Sequence, residues 1–319
     1  MKKIGIITSG GDAPGMNAGI RAIVRYGIYL DMEVYGIERG YAGLIEDTIY
    51  PLNMRSVSDI VHRGGTILKT ARCPEFKEKK GQDRAIEVIK KRGLEGIIVM
   101  GGDGSFIGAK ILSERGIPTI GIPCTIDNDL PYTDFTIGFD TACNTALDAI
   151  NKLRDTMTSH ERISIVEVMG RHCGDIALYA GIAGGAEMIL VPEKKFTVES
   201  VCKKLIESYD EGKKSGIIVL AEGAGHAEDL AKEISARTNF EVKSTVLGHI
   251  QRGGRPSMVD RILATRCGVH AVKLLKKGVG NRVVGIKNNK IIDMDISEAV
   301  SLKRKFDQSL YNIAEIISL

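Results

Sequence analysis

The chain has 319 residues, of which 43% are hydrophobic and 26% charged, and its net charge is +4 at pH 7. That length accommodates two domains of ordinary size, and the mild charge gives no reason to expect a nucleic-acid partner. No apolar run approaches the roughly 20 residues of a membrane span, and the stretch after "MKK" is too short for a signal peptide, so a cytoplasmic protein without a membrane partner is expected. From the N-terminus onward, apolar and β-branched runs recur: "IGIIT", "EVYGI", "GIIVM", "PTIGIP", "RISIVEV", "MILVP", "GIIVLAE", "STVLGHI" and "RVVGIK". Runs this uniformly apolar read as strands buried on both faces. Helical stretches such as "NAGIRAIVRYGIYL", "FIGAKILSERG", "TACNTALDAINKLRDTM" and "RPSMVDRILATRCGVHAVKLLKKG" lie between them. The alternation predicts an α/β fold with mainly parallel sheet and helices on both faces.

In such sheets ligands bind beyond the carboxyl ends of the strands. The residues just past the runs are "SGGDAPGMN", "GGDGS", "CTIDNDLP", "MGRHCGD", "EGAG" and "HIQRGGRP", so nearly every polar, glycine-rich signal falls where a ligand would bind. The first suits phosphates held by backbone N–H groups at a helix N-terminus, although it is neither a Walker A loop nor a GxGxxG fingerprint. A tight turn without a ligand is the alternative. "GGDGS" sets Asp103 alone among glycines. A carboxylate there repels phosphate unless a cation lies between them, so it either holds magnesium or caps the following helix. "TIDND" carries Asp127 and Asp129 two residues apart, pointing the same way in an extended loop. They suit a metal-bridged water and a general base, or an Asx turn before Pro131. Arg171, His249 and Arg252 supply phosphate-binding forks and a donor, Met169 an apolar contact, and Glu222 an acceptor for sugar hydroxyls. Six scattered cysteines (Cys73, Cys124, Cys143, Cys173, Cys202 and Cys267) lack metal-site or disulfide spacing and read as reduced thiols.

These loops, in this order, resemble ATP-dependent 6-phosphofructokinases of the bacterial type. "TSGGDAPGMNAGIR", "RGGT", "TARCPEF", "GGDGS", "TIDND", "TIGFDTA", "RDTMTSHER", "EVMGRHCGD", "AGGAE", "AEG", "TVLGHIQRGG" and "FDQSLY" carry the resemblance over nearly the whole chain. It implies two Rossmann-like three-layer domains: 1–137 plus 256–303 for ATP, and 138–255 plus 304–319 for fructose 6-phosphate. It implies transfer of the γ-phosphate of ATP to the 1-hydroxyl of fructose 6-phosphate, in glycolysis. Gly11, Arg72, Cys73, Gly102, Asp103, Gly104 and Ser105 are then the ATP site, with Asp103 at Mg2+. Asp127 is the base, Thr125 and Asp129 stand beside it, and Arg171 stabilises the transferring phosphoryl group. Thr125, Ile126, Asp127, Arg162, Met169, Gly170, Arg171, Glu222, Lys243, His249, Ile250, Gln251 and Arg252 bind the sugar phosphate.

The alternative is a pyrophosphate-dependent enzyme of the same fold, which tends to carry Asp at 104 and Lys at 124. Gly104 and an uncharged Cys124 favour ATP, although ATP users usually have glycine at 124. Lys243 replaces the usual arginine and loses its bidentate fork. Arg162 and Arg171 flank one strand, about 20 Å apart at roughly 3.3 Å per residue, and Lys243 and His249 flank another. If all four touch one phosphosugar, as the resemblance implies, Arg162 and Lys243 come from a neighbouring subunit; the site then requires an oligomer, and the resemblance implies a homotetramer. Arg21, Arg25, Arg154, Gly185, Glu187 and Lys213 match the family's effector pocket for ADP or phosphoenolpyruvate, with Glu211 a departure. Arg21 and Arg25, four apart on one helix face, are otherwise a solvated basic stripe.

Overall fold

The computed structural model describes residues 1–318, which form two compact units. Unit 1 comprises Met1–Thr141 and Arg252–Arg304; unit 2 comprises Ala142–Gln251 and Lys305 onward.

Unit 1 begins with β1 (Lys3–Thr8), α1 (Met16–Tyr29), β2 (Glu33–Ile37), α2 (Tyr41–Glu46), β3 (Ile49–Leu52) and α3 (Lys79–Arg92). It continues with β4 (Gly96–Gly101), α4 (Asp103–Glu114) and β5 (Thr119–Pro123), and the chain then enters α5 (Phe139–His160), within which unit 2 begins. Unit 2 adds β6 (Ile163–Val168), α6 (Asp175–Ala183), β7 (Met188–Leu190), α7 (Val198–Asp210), β8 (Gly216–Ala221), α8 (Ala227–Arg237) and β9 (Val242–Val246). The chain returns to unit 1 with α9 (Met258–Lys276), β10 (Arg282–Lys287), β11 (Lys290–Asp295) and α10 (Ile296–Ser301), and ends in unit 2 with α11 (Gln308–Ile317).

The first sheet runs β11-β10-β5-β4-β1-β2-β3. Only its outer pairs, β2 with β3 and β10 with β11, are antiparallel. The apolar runs at 96–101 and 119–123 are buried along their whole length, as a strand covered on both faces must be. Ile7, Ile97, Val99, Phe106 and Leu112 pack into one core with Ile86 and Ile89 of α3. α1 packs on α9. β1 and β4 are neighbours, and from them the chain winds outward in opposite directions. The crevice past their carboxyl ends is the switch point at which such sheets bind ligands.

The second sheet runs β7-β8-β6-β9, entirely parallel, with Ile165, Ile218 and Leu220 packed against Val201, Leu205, Leu230 and Ile234 of α7 and α8. The α/β class and mainly parallel sheets are as the sequence predicts. Two details differ. The run "STVLGHI" is a strand only to Val246; Gly248 has a φ of 52°, and Gly248–Arg252 coils into a 3₁₀ turn. Helix α5 starts at Phe139, two residues before the predicted stretch.

Candidate active site

Four loops of unit 1 enclose a cavity of about 600 Å³. Ser9–Gly11 leave β1, and the chain can turn there because Gly10 takes a φ of 83°, which a side chain would resist. Gly102–Ser105 leave β4, Cys124–Asp129 leave β5, and Ala71–Lys77 form the fourth wall. Backbone bonds lock these loops together: Ser9 N donates to Met100 O at 2.9 Å, and Cys124 N to Gly101 O at 2.9 Å. Thr70 Oγ1 donates to Gly10 O at 2.7 Å. Asn17, fully buried on α1, holds the "RGGT" loop by donating to the carbonyls of Arg63 and Gly64 and accepting from Ile67 N.

Asp103 is the first residue of α4, and its exposed side chain makes no hydrogen bond or ion pair with another described residue. It caps nothing, since the N-cap position belongs to Gly102. Its negative charge sits where the helix dipole favours an anion. A Cβ on Gly104 would meet no atom within 4 Å, so the floor beside Asp103 is open space. Asp127 and Asp129 line the same cavity, and Thr125 Oγ1 accepts Asp127 N at 3.2 Å. Cys124 is buried, and desolvation holds its thiol pKa well above the ordinary value, so it is neutral. Cys73 is likewise raised by burial. Arg252 joins the lining, its guanidinium lying against the face of Gly11 that has no side chain.

Tyr41, Phe76, Lys77, Ile107 and Ile111 also line the cavity, and sequence reasoning assigned them no role. Tyr41 stacks on Phe76 at 4.3 Å and donates to Ser105 O at 2.7 Å, its hydroxyl kept protonated by burial. Tyr41 lies in no quoted motif, and Phe76 ends "TARCPEF" with no role read for it; folding stacks the two rings beside the glycine loops.

In unit 2 the candidates gather at the carboxyl end of the sheet. Met169 N donates to Oε1 of the fully buried Gln251 at 2.8 Å, Glu222 N to Val168 O at 2.9 Å, and Leu247 N to Glu167 O at 2.9 Å. Gly170 turns away with a φ of 132°, and Gly223 packs so close to Arg171 O that a side chain would collide. Arg171, His249 and Ile250 are exposed there. Arg162 and Lys243 lie at the opposite end of the same sheet, both paired with Glu241: Nε to Oε2 at 2.8 Å and Nζ to Oε1 at 3.0 Å. Also in unit 2, the buried Glu187 pairs with Arg154 at 3.3 Å and Lys213 at 3.2 Å and accepts Ile217 N, while Arg154 also donates to Gly184 O and Gly185 O. Arg21 and Arg25 lie on α1 in unit 1.

The family model described as phosphofructokinase matches residues 3–275. The chain belongs to the phosphofructokinase family. An ATP-dependent 6-phosphofructokinase of Clostridium botulinum is 59% identical over 318 residues, covering all of both chains, and one of Clostridium novyi is equally similar. Among solved structures, the phosphofructokinase of Saccharomyces cerevisiae superposes with a TM-score of 0.89 at 34% identity, covering all of this chain and 48% of the yeast chain. A pyrophosphate-dependent phosphofructokinase from Marinobacter aquaeolei has a TM-score of 0.88 at 22% identity, a likeness of fold alone. The two clostridial relatives that are similar in sequence along the whole chain are ATP-dependent enzymes. No described helix is long and apolar enough to cross a membrane.

Proposed function

We propose that this chain transfers the γ-phosphate of Mg-ATP to the 1-hydroxyl of fructose 6-phosphate, giving fructose 1,6-bisphosphate and ADP. The observation that carries this reading is the glycine-lined cavity in which Asp103, Thr125, Asp127 and Asp129 stand together. Phosphoryl transfer asks little of a protein beyond positioning, a cation, a base and cationic stabilisers. Gly11, Arg72, Cys73 and residues 102–105 hold the nucleotide. The open space at Gly104 and the neutral, buried Cys124 support ATP over pyrophosphate, because no side chain fills the room a nucleotide needs.

Asp103 fits a magnesium ion: it is a hard oxygen donor, exposed to the cavity and engaged by no other side chain. When bound, the ion neutralises charge on the phosphate oxygens. Asp127 takes the proton of the attacking hydroxyl, with Thr125 fixing its backbone and Asp129 beside it. Arg171 donates to the phosphoryl group in transit. Ile126, Met169, Gly170, Glu222, His249, Ile250, Gln251 and Arg252 bind the sugar phosphate.

Arg162 and Lys243 act on the sugar phosphate of a neighbouring subunit, because the length of β6 separates Arg162 from Arg171. The site then requires an oligomer, and the resemblance makes it a homotetramer. Support comes from the edge strand β9, where Val246 is 52% exposed, and from Ile250 beyond it, 60% exposed. Arg154, Gly185, Glu187 and Lys213, with Arg21 and Arg25, bind an anionic effector such as ADP or phosphoenolpyruvate. Glu187 pairs with both Arg154 and Lys213, so an anionic ligand at these cations shares them with its carboxylate. The test is turnover of fructose 6-phosphate with ATP and with pyrophosphate, side by side. Turnover with ATP alone is expected; preference for pyrophosphate overturns the reading.

A further inference from the structure

Asp260 is a carboxylate at 1% exposure in the first turn of α9, and it does not line the cavity of the candidate active site. Burying a charge is costly unless donors surround it, and here they do. Oδ1 accepts Gly138 N at 2.8 Å, and Oδ2 accepts Thr141 N at 2.9 Å and Thr141 Oγ1 at 2.5 Å. Thr141 Oγ1 in turn accepts Ser257 N at 2.9 Å, and Ser257 Oγ accepts Asp260 N at 3.2 Å. The N-termini of α5 and α9 are thus tied to each other through one side chain, and two of the orphan N–H groups of α5 are satisfied by a residue about 120 positions away.

The importance of this tie lies in what precedes Gly138. Ile137 N donates to Pro123 O at 2.9 Å, and Thr136 Oγ1 donates to Thr125 O at 2.7 Å. Thr136 N donates to Oδ1 of Asn128, which stands at a positive φ of 54° between Asp127 and Asp129. Residues 136–138 therefore run as a brace alongside 123–128, and Asp260 holds the far end of the brace. A Cβ on Gly15, at the start of α1, would strike Ile137 at 2.7 Å and lie in contact with Asp260 at 3.5 Å, so this end of α1 packs on the same junction.

We propose that Asp260 is a positioning residue for phosphoryl transfer: its carboxylate clamps the brace that keeps Thr125, Asp127 and Asp129 in register. It touches no substrate. The inference rests on the reading of Asp127 as the base, since a displaced loop lowers turnover only if that loop performs the chemistry. Burial pushes the pKa of Asp260 to about 6, the three hydrogen bonds lowering it against the desolvation and the nearby Asp140 adding slightly to the rise.

Asp260→Asn preserves the shape and places an amide against three donors, so at least one loses its acceptor. Two readouts decide the matter. Hydrogen exchange of amides 124–130, which do not touch Asp260, should quicken about tenfold or more in the variant. Turnover should fall about 10- to 100-fold, as for a misplacement on the order of an ångström, with KM for ATP and fructose 6-phosphate within threefold of wild type. Thr141→Ser, which keeps the hydroxyl donor, should behave as wild type, and Thr141→Val should show a smaller version of both effects. If Asp260→Asn does not fold, the Thr141 pair carries the test. Unchanged exchange at 124–130 with unchanged kcat overturns the proposal even if the melting temperature drops, since Asp260 is then only a cap. If wild type turns over nothing with ATP, the functional reading fails, and the exchange measurement still decides the clamp.

Discussion

In unit 1 the residues past the strand ends converge on one cavity, whereas in unit 2 they divide between opposite ends of one sheet. Asp103, Thr125, Asp127 and Asp129 share a lining with Ser9–Gly11. Arg162 and Lys243, by contrast, sit with Glu241 at the amino end of β6 and β9, while Met169, Glu222 and Gln251 sit at the carboxyl end. The difference is one of completeness. Unit 1 presents small residues and backbone around one space, and a nucleotide can be bound there by one chain. Unit 2 presents long cations at the end of its sheet opposite Met169 and Glu222, and on the proposed reading the two sets serve different sites.

If Arg162 and Lys243 serve a neighbouring subunit, as proposed, the sharpest way to break this comparison is to isolate a folded monomer. Loss of two charge-assisted hydrogen bonds, at about 1.5–3 kcal/mol each, predicts a fall in kcat/KM of about 10²–10⁴-fold in a folded monomer. Sedimentation and activity measured on the same sample check this. A monomer with full activity would mean that unit 2 also holds a complete set. Within the complete half, Asp127→Asn should lower kcat by about 10²–10⁴-fold with the KM for fructose 6-phosphate nearly unchanged, the signature of a lost general base. A variant within threefold of wild type would remove Asp127 from that role.

Asp103→Ala should have a smaller effect, confined to the nucleotide. We expect kcat/KM for Mg-ATP to fall about 10- to 100-fold, with more magnesium required for half-maximal rate, while sugar-phosphate affinity holds. A titration of magnesium at fixed ATP distinguishes this from helix destabilisation, which would lower the melting temperature without changing the magnesium dependence.

The two units were unequally legible from the sequence. The cavity of unit 1 was readable because its chemistry lies in contiguous motifs: "GGDGS" and "TIDND" each follow an apolar run, and the strand-end rule brings them together. Tyr41 and Phe76 escaped because nothing local marks an aromatic as a wall of a cavity rather than as core. Asp260 escaped for a related reason: its partners Gly138 and Thr141 are distant in sequence, and an aspartate in a first helical turn reads as a dipole companion. In unit 2, residues near position 250 read as strand, since "STVLGHI" is rich in β-branched and apolar residues; the turn at Gly248 is a backbone event that composition does not reveal. The separation of Arg162 from Arg171 was legible, because strand length follows from residue count alone. The resemblance grouped Arg154, Glu187 and Lys213, but the backbone N–H of Ile217 that Glu187 also accepts was not legible, since a main-chain donor leaves no mark in the sequence.

The smallest expected effect probes the amino end of the unit 2 sheet. Glu241 pairs with both Arg162 and Lys243, and these hydrogen bonds, Lys243 first, hold its carboxyl below the usual range. A folded pKa lowered in this way means the pairing contributes stability above the unfolded pKa and loses it only as pH falls through the lower folded value, so the carboxylate is charged near neutrality. On the proposed reading, a phosphate dianion arriving at the two cations shares them with a like charge. Glu241→Gln keeps an acceptor and removes the charge. Because the group is exposed and screened, the change is modest: KM for fructose 6-phosphate should fall about two- to fivefold at low salt and converge with wild type near 0.5 M salt, roughly where the Debye length shrinks below 5 Å. Lys243→Arg, which restores a fork for the phosphate, should move KM in the same direction. A KM that rises in Glu241→Gln would show that Glu241 serves to aim the two cations, and that their orientation outweighs the competition for their charge.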